Sequence, residues 1–477
     1  METNDEQTDN YLSNGDNISV YENLEKERFE SKSPFRTLLS FSVGPVLFNS
    51  GISIHDAVDL ILISKALGAK SLHVVGFSSL IRYLCMCVTI YFAQSTIAKI
   101  SSLLGSGKKS EAAQVISDLY RLSVGFMIIV PLVFYHLCLP MLTYMGCTRE
   151  TSLVARNYLL PILISMPLIS CFQLSCGFLQ SQGRSLLCGM LQIGAFLLNC
   201  GVISPTLLFV FRIPITMAGV SFAFSQSLFG LVLVIMIFRG KFGINPSVKM
   251  LCSGISPETW KSLVLGFPYI LNILANALPP MVLLSHMMKA AFASGESFKV
   301  ASVFSVFLKI QSAINSLSIG MNQGFMACSC YSKGSENYGR VYQLFKISLC
   351  LTLGYHLLWL PIMVFHSDLI SRIWISDVSL IGFSKAFIRI PFYTNFLIPF
   401  NDTTTNFLLS FGKPGVAMVP SLVRGIVCLI YAIGLFYTDR SNPKRMMYTY
   451  CLNDVSVMIT DIIILIRPFR ALLEKIH

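Results

Sequence analysis

Residues 44–68 read GPVLFNSGISIHDAVDLILISKALG. The stretch is apolar enough to cross a bilayer, yet its second half holds His55, Asp56 and Asp59. A carboxylate in a membrane span costs several kcal/mol (~2.5–3.5 at the helix centre), so such acids usually face a cavity or a partner. At about 100° per residue, Asn49, Ser53, Asp56 and Asp59 fall within about one third of the helix circumference. Ile54, Leu60, Leu62 and Ile63 lie mostly elsewhere. The expectation is a helix with one wet face and a greasy remainder.

Composition extends that reading to the whole chain. The 477 residues are 54% hydrophobic and 13% charged, with a mean hydropathy of +0.65. Soluble domains carry about 25% charged residues. The pattern is that of an all-α polytopic membrane protein. The net charge of +12 belongs to Lys and Arg edging the spans, where anionic headgroups favour them, and not to a nucleic-acid partner. The fourteen Cys are scattered through apolar runs without a CxxC pair. They have no zinc spacing and act as small packing residues.

Residues 1–35 are polar and acid-rich, and are expected to form a disordered cytosolic tail. Apolar runs follow at 38–64, 72–104, 118–144, 153–179, 186–211, 215–238, 260–288, 297–330, 342–366, 380–409, 415–437 and 447–469. With spans of about 20 residues, these make about twelve transmembrane helices. An even number places both termini on one side, and the modest Lys/Arg excess on that side makes it cytosolic.

The halves repeat each other. Leu-Ser-Phe-Ser-Val-Gly-Pro45 is similar to Leu-Val-Leu-Gly-Phe-Pro268. The segment beginning Ser106-Gly-Lys-Lys-Ser-Glu and ending at Ser123 is similar to that from Ser332-Lys-Gly-Ser-Glu to Ser348. Phe178-Leu-Gln-Ser-Gln-Gly183 is similar to Phe407-Leu-Leu-Ser-Phe-Gly412. Three matches in order give two pseudo-symmetric six-helix lobes. They comprise residues 36–238 and 260–470, joined by a cytoplasmic loop at 239–259, with a short tail at 471–477. Paired lobes about a cleft are a transporter architecture. Gly105-Ser-Gly-Lys-Lys-Ser110 is no P-loop, because Ser102 stands where the first glycine is needed. No catalytic fingerprint is present, so an enzyme is not expected.

The candidate residues follow from polarity at bilayer depth. Asp59 and Asp56 can bind a proton or Na⁺ and report it to the lobe. His55, Asn49, Arg82, Gln94 and Asn199 are candidates for lining or supporting the cavity of the first half. Asn272, Asn276 and Asp402 are those of the second. Arg82 and Lys309 occupy nearly equivalent places in the two halves and are candidate counter-ions. Most of the second-half amides are expected to tie helices together. Asp454 and Asp461, seven residues apart, share a helix face and are expected near the interface.

Several of these residues carry a family resemblance. Pro45, Val58-Asp59, Leu67-Gly68, Gly105-Ser-Gly-Lys-Lys-Ser-Glu-Ala, Leu179-Gln-Ser-Gln-Gly183, Asn199 with Pro205, and Ile215-Thr-Met-Ala-Gly-Val resemble the multidrug and toxic compound extrusion (MATE) family. Phe407-Leu-Leu-Ser-Phe-Gly-Lys-Pro-Gly and Ser421-Leu-Val-Arg424 extend the resemblance to about residue 440. It implies cation-driven antiport, with H⁺ or Na⁺ as the coupling ion and organic cations or other xenobiotics as substrates. Asp59 matches the family's first-span carboxylate. Asn276 stands where many members carry Glu, Ser204 stands where some carry Asp, and Asp402 approximates the family's tenth-span acid. These departures place the coupling on Asp59.

The expected protein is thus a secondary active exporter in the plasma membrane or an endomembrane. It acts as a monomer on a small organic substrate, without cofactor, metal or nucleic acid. The rival readings are a lipid-linked oligosaccharide flippase, for which Arg82, Lys309 and Arg424 speak, and a degenerate paralogue that does not transport.

Overall fold

The computed structural model describes residues 26–67, 70–144, 147–244, 246–292, 295–373, 378–440 and 442–476. Among the described residues helices are the only regular secondary structure, and ten of them are long and apolar enough to span a membrane. The first lobe holds α1 (Pro34–Leu67), α2 (Lys70–Gly105), α3 (Lys109–Tyr144), α4 (Arg149–Ser181), α5 (Ser185–Leu197) and α6 (Gly219–Phe238). The second holds α7 (Pro257–Phe292), α8 (Ser297–Gly334), α9 (Tyr338–Ser371), α10 (Val378–Phe392), α11 (Ile398–Ser410), α12 (Pro414–Thr438) and α13 (Tyr448–Ile476). The α10–α11 pair and α13 bring the spans to twelve.

Two spans depart from the continuous helices expected of them. The run at 380–409 is broken into α10 and α11 by a 3₁₀ turn, Asn395–Leu397. Pro391 and Pro399 flank the break. A proline has no N–H to continue a helix, but at the first turn, where Pro399 sits, that loss costs nothing. The run at 186–211 leaves α5 through two π-helical turns, Leu198–Ile203 and Thr206–Val210. They bracket Ser204 and Pro205, and such wide turns accommodate a missing donor inside a helix.

The expected disorder at the N-terminus is corrected for residues 26–35; residues 1–25 lie outside the described part. Glu27–Ser31 form a π-helical turn and α1 starts at Pro34. An aromatic residue explains the order. Phe29 is buried, stacked on Tyr331 of α8 at 3.9 Å and set 4.5 Å from Phe41 of α1. Arg340 of α9 donates to the carbonyl of Lys32 at 3.0 Å and to Thr37 Oγ1 at 2.8 Å. At the other terminus, α13 runs on to Ile476 through the expected short tail.

The lobes meet along α1 with α8, and α2 with α7 and α8. Their hydrogen bonds cluster at one end. Ser42 Oγ approaches the Met321 carbonyl at 3.4 Å, and Ser50 Oγ lies 3.2 Å from Ser316 Oγ. Tyr91 donates to the Leu263 carbonyl at 2.9 Å, and Ser262 to the Ser95 carbonyl at 3.0 Å. Lys99 pairs with Glu258 nearer the chain turns. Helices in lipid associate through close packing, which small residues permit. Gly320 is such a residue: a Cβ there would lie 2.5 Å from Val46 Cα. The lobes are therefore closed at the end carrying the turns at 105–109 and 334–338.

Replacing Gly320 with Val should destabilise this seam by about 1–3 kcal/mol, the usual cost of overpacking. Thermal melting in detergent tests it. Gly354→Val, at a position with open space around it, should leave the melt unchanged.

Candidate functional site

Past the seam, the second half of α1 carries the acids, and they do not share one environment. Asp56 has a side chain 45% accessible, whereas Asp59 is buried. The single wet face expected from spacing is thus divided. One acid meets the gap between the lobes and the other points into the first lobe.

The two acids are joined by a chain of polar contacts. Arg82 of α2 donates to Asp56 Oδ1 at 2.9 Å. His55 Nδ1 lies 3.3 Å from the same oxygen, and His55 Nε2 lies 2.6 Å from Asn199 Nδ2. An amide nitrogen only donates, so Nε2 accepts and the proton sits on Nδ1, directed at Asp56; this tautomer is assigned from the contacts. Ser204 Oγ lies 3.2 Å from both Asp59 Oδ1 and Asn199 Oδ1. A hydroxyl has one proton, so Ser204 can donate to only one of them at a time. The π turns around Ser204 place it and Asn199 against α1. Apolar walls complete the setting: His55 packs on Phe196 at 4.7 Å, and the Arg82 guanidinium lies 4.9 Å above the Phe222 ring.

The second lobe contributes differently. Lys309 of α8 is exposed and lies within electrostatic reach of Asp56 across the gap. Asn49 donates to the Pro45 carbonyl at 2.7 Å and lies 3.4 Å from Gln323 Oε1, so it belongs to the seam. Asn276 is exposed and donates to Asn272 at 2.8 Å along its own helix. Gln94 is buried, and among the described residues its Oε1 has no partner. Asp402 is half-buried on α11.

Sequence reasoning missed a charged core inside the second lobe. Arg424 of α12 is buried, and its field reaches Asp402, Asp454 and Asp461. Asn401 donates to both Asp461 oxygens at 3.2 and 3.1 Å and accepts from Arg424 at 3.4 Å. Thr394, in the break before α11, donates to Asp454 at 3.0 Å. Asp461 is fully buried, not interfacial. The seven-residue spacing on α13 was the available signal; it needed Arg424 as its partner. Among the described residues no group of three or more His, Cys, Asp or Glu is placed to hold a metal ion.

The MatE family model matches residues 45–203 and 268–433, one segment in each lobe and together well over half of the chain. The chain belongs to the MatE family. This is a family of membrane transporters, so the MATE resemblance of the motifs holds. Among solved structures, the chain is similar to a MOP superfamily transporter from Pyrococcus furiosus (TM-score 0.84, 14% identity, covering 95% of this chain and 98% of that one). It is also similar to a multidrug resistance MATE transporter in an outward-facing conformation (TM-score 0.84, 16% identity, 97% and 99%). A MATE structure in a bent conformation is a third (TM-score 0.82, 14% identity, 96% and 98%). At these identities the likeness is one of fold. No protein among the curated ones matches. For a MatE chain, the twelve spans in two lobes are the expected frame.

Removing the Arg424 cation should leave buried acids without a counter-charge. Taking away the partner of Asn401 and the charge that these acids face costs about 1–3 kcal/mol or more. Arg424→Met should therefore lower the melting temperature strongly. Adding Asp461→Asn in the same chain should recover part of the loss.

Proposed function

We propose that the protein is a secondary active exporter that couples the entry of H⁺ or Na⁺ to expulsion of small organic cations or other amphipathic xenobiotics. The observation that carries this reading is the path from Asp56, at the gap, through His55, Asn199 and Ser204 to the buried Asp59. Asp59 receives one side-chain hydrogen bond from this path, and a carboxylate has further acceptor sites for a proton or a cation. The ion enters from the open end and neutralises Asp59. Ser204 is then free to turn to Asn199, and α1 shifts against α5. Because α1 also forms the seam, this local change can be felt at the closed end. Coupling requires that the ion bind the two lobe arrangements with different affinity; equal affinity would shift nothing. With the turn-bearing end in the cytosol, the described arrangement opens outward, ready to release substrate and load the ion.

A second reading is favoured by one observation. Arg82 and Lys309 bring cations to the gap from opposite lobes, which would suit an anionic lipid-linked substrate better than a cationic drug.

Asp59→Asn should insert normally and lose ion-driven efflux in proteoliposomes, with H⁺ and Na⁺ gradients applied separately. Full gradient-driven transport by this variant would overturn the reading. Lipid-linked but not organic-cation transport by the parent protein would favour the second.

A further inference from the structure

Outside the inter-lobe gap, a groove of about 330 Å³ opens on the outer surface of the first lobe between α5 and α6. It is lined by Leu187 and Leu191 of α5, by residues of α6 from Leu228 to Met236, and by Phe242. Leu228 and Val232 are exposed, so the groove faces the surroundings and not the lobe interior. The volume lies at the small end of the ~300–1,000 Å³ typical of ligand sites, and the lining is wholly apolar. The two helices are in contact higher up, where a Cβ on Gly194 would lie 3.3 Å from the Phe229 ring. The groove lies below that contact, toward the closed end.

What stands at its mouth sets the occupant. Gln182 donates to the Phe242 carbonyl at 2.9 Å and fixes the loop. The Arg184 guanidinium lies over the Phe242 ring at 5.2 Å. Arg239 and Lys241 are exposed on the same loop, and the Lys241 N–H bonds the Met236 carbonyl. Among the described residues neither Arg239 nor Lys241 has an acidic partner. No Asp or Glu occurs in the sequence between Glu150 and Glu258. An apolar slot running along two spans and ending at Arg239 and Lys241 matches one kind of molecule, an acyl chain attached to an anionic headgroup.

We propose that this groove binds an anionic phospholipid, with one acyl chain between α5 and α6 and the phosphate on Arg239 and Lys241. A chain leaving the bilayer for the groove exchanges one hydrocarbon environment for another, so the selectivity comes from the headgroup. Each cation near a membrane surface is worth about fivefold in affinity for an anionic lipid.

Native mass spectrometry of the full-length protein in detergent tests this, using phosphatidylglycerol and phosphatidylcholine of identical chains. The parent protein should retain phosphatidylglycerol with roughly fivefold or greater preference. Arg239→Gln with Lys241→Gln should bring the two lipids to parity. Leu191→Trp, which fills the slot, should weaken lipid retention with the melting temperature held. Inorganic phosphate should not displace the lipid. Equal retention of both lipids by the parent, a preference that survives the double substitution, unchanged retention in Leu191→Trp, or displacement by phosphate would each overturn the proposal.

Discussion

The approach of α1 to α8 governs the rest of the molecule. In lipid there is no hydrophobic drive to bring helices together, so contact must come from packing and interhelical hydrogen bonds. Gly320 supplies the packing, and Ser42 and Ser50 supply two of the bonds. Since the contact occupies only the first half of α1, the second half is left to face the gap. One helix thus serves two purposes. Its beginning holds the lobes together, and its end carries Asp56 and Asp59. Pro45 cannot donate to the carbonyl four residues earlier, so α1 lacks one backbone hydrogen bond inside the seam itself.

The lobes share a frame and differ in how they hold charge. In the first lobe the charges are linked in a line that starts at the gap and ends inside. In the second, the field of the buried Arg424 reaches three carboxylates, and Asn401 and Thr394 donate hydrogen bonds to two of them, Asp461 and Asp454. A line with an open end can exchange an ion with water. An enclosed cluster instead makes any loss of one member costly, because the remaining charges cannot be solvated. The repeat in the sequence therefore preserves helix placement without preserving the chemistry at matching positions.

Much of this was legible beforehand. Apolar runs and glycine-rich turns mark nearly every span, because span length is imposed by the bilayer. Asp56 and Asp59 stood out because acids at that depth are rare. Their division between gap and interior did not follow from spacing, since a 60° difference in direction places one residue on either side of a boundary only the other helices define. Phe29 was hidden by its setting in an acid-rich tail, where one aromatic residue outweighs the composition around it. The breaks at Ser204–Pro205 and Thr394 were marked by proline alone, and proline also sits inside unbroken helices here, as at Pro45 and Pro268. Asp454 and Asp461 were misplaced because α13 carries charge toward its end and resembles a surface helix until Arg424 is placed beside it.

Asp118 of α3 is fully buried, and it accepts hydrogen bonds from the Ser256 N–H at 2.9 Å and the Thr259 hydroxyl at 2.8 Å. Arg121 of the same helix donates to the carbonyls of Leu251 and Ser253. The loop joining the lobes is therefore fastened to the first lobe, and so is the first turn of α7. Pro268 interrupts the backbone hydrogen bonding of that helix only a few turns later. Any rearrangement that parts the lobes at this end must either unfasten Asp118 or flex α7 near Pro268. A joint that let the lobes part would then lie within a helix, and the mechanical border between them would fall some ten residues beyond the one drawn by topology.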